Sequence, residues 1–181
     1  MSRAPIADQT ARGEPSLAAR QVGVAVSMMV ALTLTVALFA FGARSAGGLP
    51  PAAVWGRAAL GPLVSLFAAT AFLANRRFFS AQDIDAAAAG PPSEGARIAQ
   101  AIVQNTLEQA VLALGVYALL VISLPDPSRA VVWAMSAAFV IGRAAFAIGY
   151  PFGAVGRALG FGLTFYPSAI GLAWAAWRLL N

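Results

Sequence analysis

Residues 98–124 read IAQAIVQNTLEQAVLALGVYALLVISL. As a helix this stretch spans roughly 40 Å at 1.5 Å per residue, more than the roughly 30 Å of a bilayer's hydrocarbon core. Its second half is continuous apolar sequence and reads as part of a membrane-crossing helix. Its first half carries Gln100, Gln104, Asn105 and Glu108, groups that lipid does not solvate. Together with Arg97, the residues Gln100, Gln104 and Glu108 recur at steps of three, four and four, which draws one stripe along a helix. Asn105 flanks that stripe and stands three residues from Glu108, on a neighbouring position of the same face. A charged side chain at the centre of a membrane helix costs about 3 kcal/mol on insertion scales, so such groups face the bundle or a cavity. The stripe therefore calls for a partner helix or a ligand.

The rest of the chain has the same character. Of its 181 residues 60% are hydrophobic and only 10% charged, and the mean hydropathy is +0.75. A soluble domain carries about 25% charged residues; this composition cannot cover an aqueous surface, and lipid must be most of the solvent. Four further apolar runs occupy about 21–43, 53–75, 130–150 and 158–179. The second contains Arg57 and Pro62, and Pro167 in the last predicts a kink. The expected fold class is an all-α integral membrane helical bundle of five spans. Residues 1–18 are expected to be a disordered polar N-terminus and 19–44 a retained transmembrane helix rather than a cleaved leader. A four-helix transmembrane domain is expected over 53–181, with a surface loop near 76–95 and short connections at 125–129 and 151–157.

The +5 net charge comes with arginine as the sole basic residue type, scattered between apolar runs. That pattern marks topology; nucleic-acid binding would need a basic patch on a soluble face. Alternating five spans puts Arg3, Arg12, Arg20, Arg76, Arg77, Arg97, Arg143 and Arg157 on one side and Arg44, Arg57, Arg129 and Arg178 on the other. The positive-inside rule then predicts a cytoplasmic N-terminus. There is no cysteine and no histidine. Disulfides, thiolate or imidazole metal sites, a cysteine nucleophile and histidine-based triads are excluded.

The fourth run complements the stripe. Arg143, Phe146 and Tyr150 fall at i, i+3 and i+7 on one helical face, and Arg157 follows seven residues later. Arg76 and Arg77 end the second run on the same side. These groups gather near one membrane boundary and outline a pocket of guanidiniums, one carboxylate, one amide and one phenol. Each also has a structural reading. Glu108 can pair with Arg143 to fix packing, arginines at helix ends snorkel to the interface, and Tyr150-Pro151 can be a belt residue and a turn.

At these positions the chain resembles the membrane-associated proteins in eicosanoid and glutathione metabolism, the MAPEG superfamily. Asn105-Thr106-Leu107-Glu108 is similar to that family's Asn-x-x-Glu on its second core helix. Arg143, Phe146 and Tyr150 resemble its Arg-x-x-Tyr/His-x-x-x-Tyr, and Arg157 stands where leukotriene-synthase-like members place an arginine that polarises the glutathione thiol. The segment Asn75-Arg76-Arg77-Phe78-Phe79, with Asp83 after it, looks like the family's basic-aromatic loop. Two positions depart from the pattern: Ala101 stands where an arginine is usual, and Phe146 where a tyrosine or histidine is usual. The first span, 21–43, is additional to the four-helix core.

The resemblance implies a homotrimer that binds glutathione between neighbouring subunits and acts as a transferase or peroxidase on hydrophobic electrophiles arriving through lipid. Arg157 is then expected to stabilise the thiolate, with Arg77 as the second choice. Arg76, Arg97, Asn105, Glu108, Arg143 and Tyr150 are expected to hold the cofactor. The alternative is a non-catalytic member, a scaffold or accessory subunit of a larger membrane complex, which Ala101, Phe146 and the added helix favour. A transporter is disfavoured, because few charges line a continuous path. The arginine-only, alanine-rich composition suggests a GC-rich bacterial genome, hence an inner membrane.

Overall fold

A computed structural model describes residues 16–41, 48–85, 90–126 and 128–181. Among these residues there is no strand, and five long helices are joined by turns and loops: α1 (Leu17–Phe41), α2 (Pro51–Phe78), α3 (Glu94–Ser123), α4 (Val131–Gly149) and α5 (Gly153–Leu180). The expected disordered N-terminus, with Arg3 and Arg12, lies almost wholly outside the described residues, as does Arg44. The helix that follows starts at Leu17, slightly earlier than expected.

Local chemistry sets the boundaries. The Ser16 hydroxyl accepts a hydrogen bond from the Ala19 amide at 3.2 Å and so caps α1. Pro51, with its preset φ and no N–H to leave unpaired, opens α2. Ser93 caps α3 by accepting from the Ala96 amide at 3.2 Å, and Glu94 adds a favourable negative charge to the first turn. Asp83 accepts from the Ser93 amide at 2.8 Å and the Ser93 hydroxyl at 2.6 Å, tying the loop after α2 to the head of α3. Helix α2 runs unbroken through Pro62, and α5 through Pro167.

The helices α1, α2 and α3 are each long and apolar enough to cross a membrane, and so is the stretch Ser128–Leu180. That last stretch of 53 residues would be about 80 Å long as one helix, far more than one crossing needs. It is a hairpin. Tyr150–Phe152 forms a single 3₁₀ turn, Gly153 adopts φ +76°, and α5 returns antiparallel along α4. A Cβ at Gly149 would collide with the Gly156 carbonyl, and one at Gly160 with the Phe146 amide. Small residues let the two backbones meet there. Because of this close approach, most of the connection expected at 151–157 is the first turn of α5.

The five helices alternate in direction. Trp55 Nε1 donates to the Leu114 carbonyl at 3.2 Å across antiparallel α2 and α3, and Trp133 Nε1 to the Val54 carbonyl at 3.1 Å across parallel α2 and α4. Helix α1 lies parallel to α5: Gly23 packs on Val155, Ala31 on Gly162 and Phe39 on Trp174. The buried core, with Val54, Tyr117, Leu120, Val131, Met135 and Phe139, fills the end of the bundle near the α3–α4 connection. At the opposite end, where α2 stops, α3 starts and α4 turns into α5, the packing opens into cavities.

Candidate functional site

One cavity of about 470 Å³ lies at that open end. Helix α3 contributes Ala101 and Asn105, α4 Phe146 with Tyr150 just beyond it, and α5 Ala154, Arg157, Ala158 and Phe161. The fourth wall is α1, through Val24 and Met28. The volume falls within the range of about 300–1,000 Å³ usual for small-molecule sites, and the lining is apolar with a few polar groups. The polar groups are the ones the sequence singled out.

A chain of guanidiniums and rings runs along α4 to this cavity. Arg143 Nη1 donates to Asn105 Oδ1 at 2.8 Å, and its guanidinium carbon sits 4.3 Å from the centre of the Phe146 ring. Phe146 meets Tyr150 edge to face at 5.7 Å, and the Arg157 guanidinium lies over the Tyr150 ring at 4.8 Å. A cation over an aromatic face is held by the ring quadrupole at about 0.5–2 kcal/mol per pair. Each arginine is therefore held against a ring, and among the described residues no carboxylate pairs with either. Arg143 is buried, at 5% exposure, and its Nε and Nη2 have no hydrogen-bond partner.

The other residues singled out by sequence lie elsewhere. Glu108 is exposed on the outer face of α3, where Gln104 Nε2 donates to its Oε1 at 2.9 Å. The pairing of Glu108 with Arg143 weighed from sequence is replaced by the Arg143–Asn105 bond, because the two side chains leave α3 and α4 toward different faces. Arg77 Nη2 donates to Gln100 Oε1 at 3.1 Å, beside the same exposed stripe. Arg97 makes a 3.9 Å contact with Glu94, with both side chains well exposed. Arg76 lies over the Phe72 ring at 5.2 Å and lines two different cavities beside α2. The structure thus brings Asn105, Tyr150 and Arg157 onto one cavity with Phe146 and Ala101, with Arg143 bonded to Asn105 behind its wall. It leaves Arg76, Arg77, Arg97 and Glu108 outside that cavity.

Sequence reasoning missed Val24, Met28 and Phe161. Nothing distinguishes them from lipid-facing residues in one dimension, since wall and lipid both select apolar side chains. Asp83 was noted only through the basic-aromatic loop. Hydrogen bonds from Ser80 and Ser93 hold its carboxyl below the usual carboxylate range, which marks it as a loop staple.

No curated protein and no solved structure matches the chain. A family model, that of the MAPEG family, matches residues 52–177. The match covers α2 to α5 almost completely and leaves α1 outside. With these spans, this bundle and this match over most of its length, the chain is an integral membrane protein and belongs to the MAPEG family.

Proposed function

We propose that the chain is a membrane-bound, glutathione-dependent transferase or peroxidase acting on hydrophobic electrophiles, with Arg157 as the group that stabilises the thiolate. The observation that carries this reading is the placement of Arg157 and Asn105 on one 470 Å³ cavity that no carboxylate among the described residues lines. Glutathione, when bound, supplies the sulfur nucleophile for displacement or peroxide reduction. A guanidinium beside a thiol favours the thiolate, the form that reacts. Arg157 is held by Tyr150 and has no acidic partner among the described residues of the cavity wall, so its charge is available to a sulfur. Asn105, with its carbonyl engaged by Arg143, presents its amide N–H groups to a peptide carbonyl. The apolar remainder of the lining, with Phe161 and Met28, suits an electrophile that enters from lipid.

Glutathione also carries an ammonium group and two carboxylates, and the cavity offers the ammonium no anion. Glu108, Arg97 and Arg77 all lie on or beside the exposed face of α3. In a homotrimer that face would meet a neighbouring copy, and these groups would complete the neighbour's site; Arg77 is the second candidate for the thiolate. Burying such a stripe also answers its cost in lipid. The trimer, a bacterial inner-membrane location and a cytoplasmic N-terminus are parts of this reading.

Ala101 and Phe146 favour a second reading, a non-catalytic scaffold or accessory subunit, because both remove polar groups from the cavity wall. One experiment separates the two. Glutathione is added to the detergent-purified protein, and thiolate absorbance is followed in the ultraviolet beside an Arg157→Ala control. A thiolate signal that Arg157→Ala abolishes, with the helical content unchanged, supports the enzyme. Absence of both the signal and calorimetric glutathione binding in the intact protein supports the scaffold. A signal that survives Arg157→Ala removes Arg157 from its role.

A further inference from the structure

Helix α1 lies outside the family match, which begins at residue 52, yet it walls the Arg157 cavity through Val24 and Met28. It meets α5 closely at two levels. Gly23 packs on the Val155 methyls, and a Cβ added at Gly162 would fall 2.6 Å from the Ala31 Cβ. From Gly23 to Ala31 is about 12 Å along a helix. Val24 and Met28 lie between the two contacts and face the cavity. Helix α1 has no comparable packing on α3, whose half-buried Ala101 and Asn105 also line the cavity. The cavity is therefore a window closed at both ends of the α1–α5 seam, and it reaches the surface of the bundle between α1 and α3.

The walls of this window differ in how far they yield. Phe161 is stacked on Phe165 with ring centroids 5.4 Å apart and planes inclined by 16°, and Tyr150 carries the Arg157 guanidinium on its face. Both rings are engaged. Met28 is unbranched, with three rotatable bonds and a polarisable sulfur, and such a side chain fills irregular space. Its sulfur reaches the Ala31–Gly162 contact, 3.3 Å from the position of the added Cβ at Gly162. It thus covers the floor of the window. An apolar group seated beside Arg157 meets Met28 and then that close backbone approach, so a long chain has no way onward between α1 and α5. The far side of α1, with Val26, Met29 and Leu34, is exposed.

We propose that α1 is the selectivity element of the Arg157 site, with Met28 setting the length of the apolar group that an electrophile brings beside glutathione. Electrophiles with a compact apolar group are accepted, and long-chain ones are excluded. The assignment rests on glutathione occupying that cavity, and it adds a specificity-determining residue from a helix outside the family match. Each buried methylene raises affinity about four-fold. Chain length is therefore a direct probe: affinity climbs with every methylene that fits and stops at the floor.

The full-length protein in detergent is titrated by calorimetry with glutathione and with its S-methyl, S-butyl and S-decyl thioethers. The S-butyl compound is expected to bind at least ten-fold more tightly than the S-methyl, and the S-decyl no more tightly than the S-butyl. Met28→Ala is expected to raise the S-decyl to S-butyl affinity ratio at least five-fold with helical content unchanged. Met29→Ala, on the exposed side of α1, should leave that ratio at its wild-type value. The chain has no cysteine, so Met28→Cys reports on location: bound S-butylglutathione is expected to slow its alkylation by N-ethylmaleimide at least ten-fold, and not that of Met29→Cys. A ratio equal in Met28→Ala and wild type, or alkylation of Met28→Cys that the bound thioether does not slow, would overturn the proposal while glutathione binding keeps the Arg157 reading. Failure of all four ligands to bind would remove both.

Discussion

Arg143 and Asp83 show how a single residue's surroundings decide what its charge does. Arg143 lies within a membrane helix, yet its side chain rests on the Phe146 ring and on Asn105 Oδ1, so no carboxylate is spent on it. Asp83 lies outside the spans, and its charge is consumed by Ser80 and Ser93. Its folded pKa is below that of an unfolded aspartate, which is near 4. Its contribution to the loop is therefore complete above about pH 4 and fades as the pH falls through the folded value. Hydrogen exchange at the Ser93 amide should show protection that is constant from pH 7 to 5 and lost in Asp83→Ala. Equal protection in the variant would remove the staple from the account.

At the scale of elements, α1 needs the most explanation, because the family match begins after it. It packs parallel to α5 with Gly23 against Val155 and Ala31 against Gly162. That contact brings Val24 and Met28 onto the Arg157 cavity. A larger side chain at Met28 should fill the cavity without disturbing the helix, which is otherwise largely exposed to lipid. Met28→Trp is expected to weaken glutathione binding at least ten-fold with the thermal transition shifted little, as calorimetry and circular dichroism would show. Undiminished binding would mean that the ligand does not enter beside α1. The hairpin of α4 and α5 is the other decisive element. Its glycines allow the backbones to meet, and the short Tyr150–Phe152 turn places Tyr150 and Arg157 one over the other.

For the whole molecule, the uneven packing matters most. The end with Tyr117, Leu120, Met135 and Phe139 holds the buried core, and the opposite end holds the cavities that Arg157, Arg143 and Arg76 line. The stripe of Arg97, Gln100, Gln104 and Glu108 lies exposed on the outside at the open end. Such a stripe is stable in lipid when another copy covers it. The chain contains no cysteine, so one introduced thiol reports only on itself. Gln104→Cys is expected to form inter-chain disulfides or bis-maleimide crosslinks in native membranes, whereas Phe67→Cys, on an exposed apolar face of α2, should not. Crosslinking equally from both positions, or from neither, would count against α3 as the face between copies.

The sequence alone determined the membrane, the all-helical bundle and the family. These follow from hydropathy, from helical spacing and from Asn105, Glu108, Arg143, Tyr150 and Arg157 standing in the family's order, all local properties of the chain. Spacing places residues on a face of their own helix but does not say which helix that face meets. Only the tertiary structure decided that Asn105 receives Arg143 while Glu108 turns outward, and that Arg76 falls on the far side of α3. It alone showed that the first helix walls the cavity. The physical reason is that helix rotation and neighbour choice come from packing among many apolar surfaces of nearly equal hydrophobicity. In lipid that choice is made by close fit, at glycines such as Gly149 and Gly160, rather than by any polarity legible in one dimension.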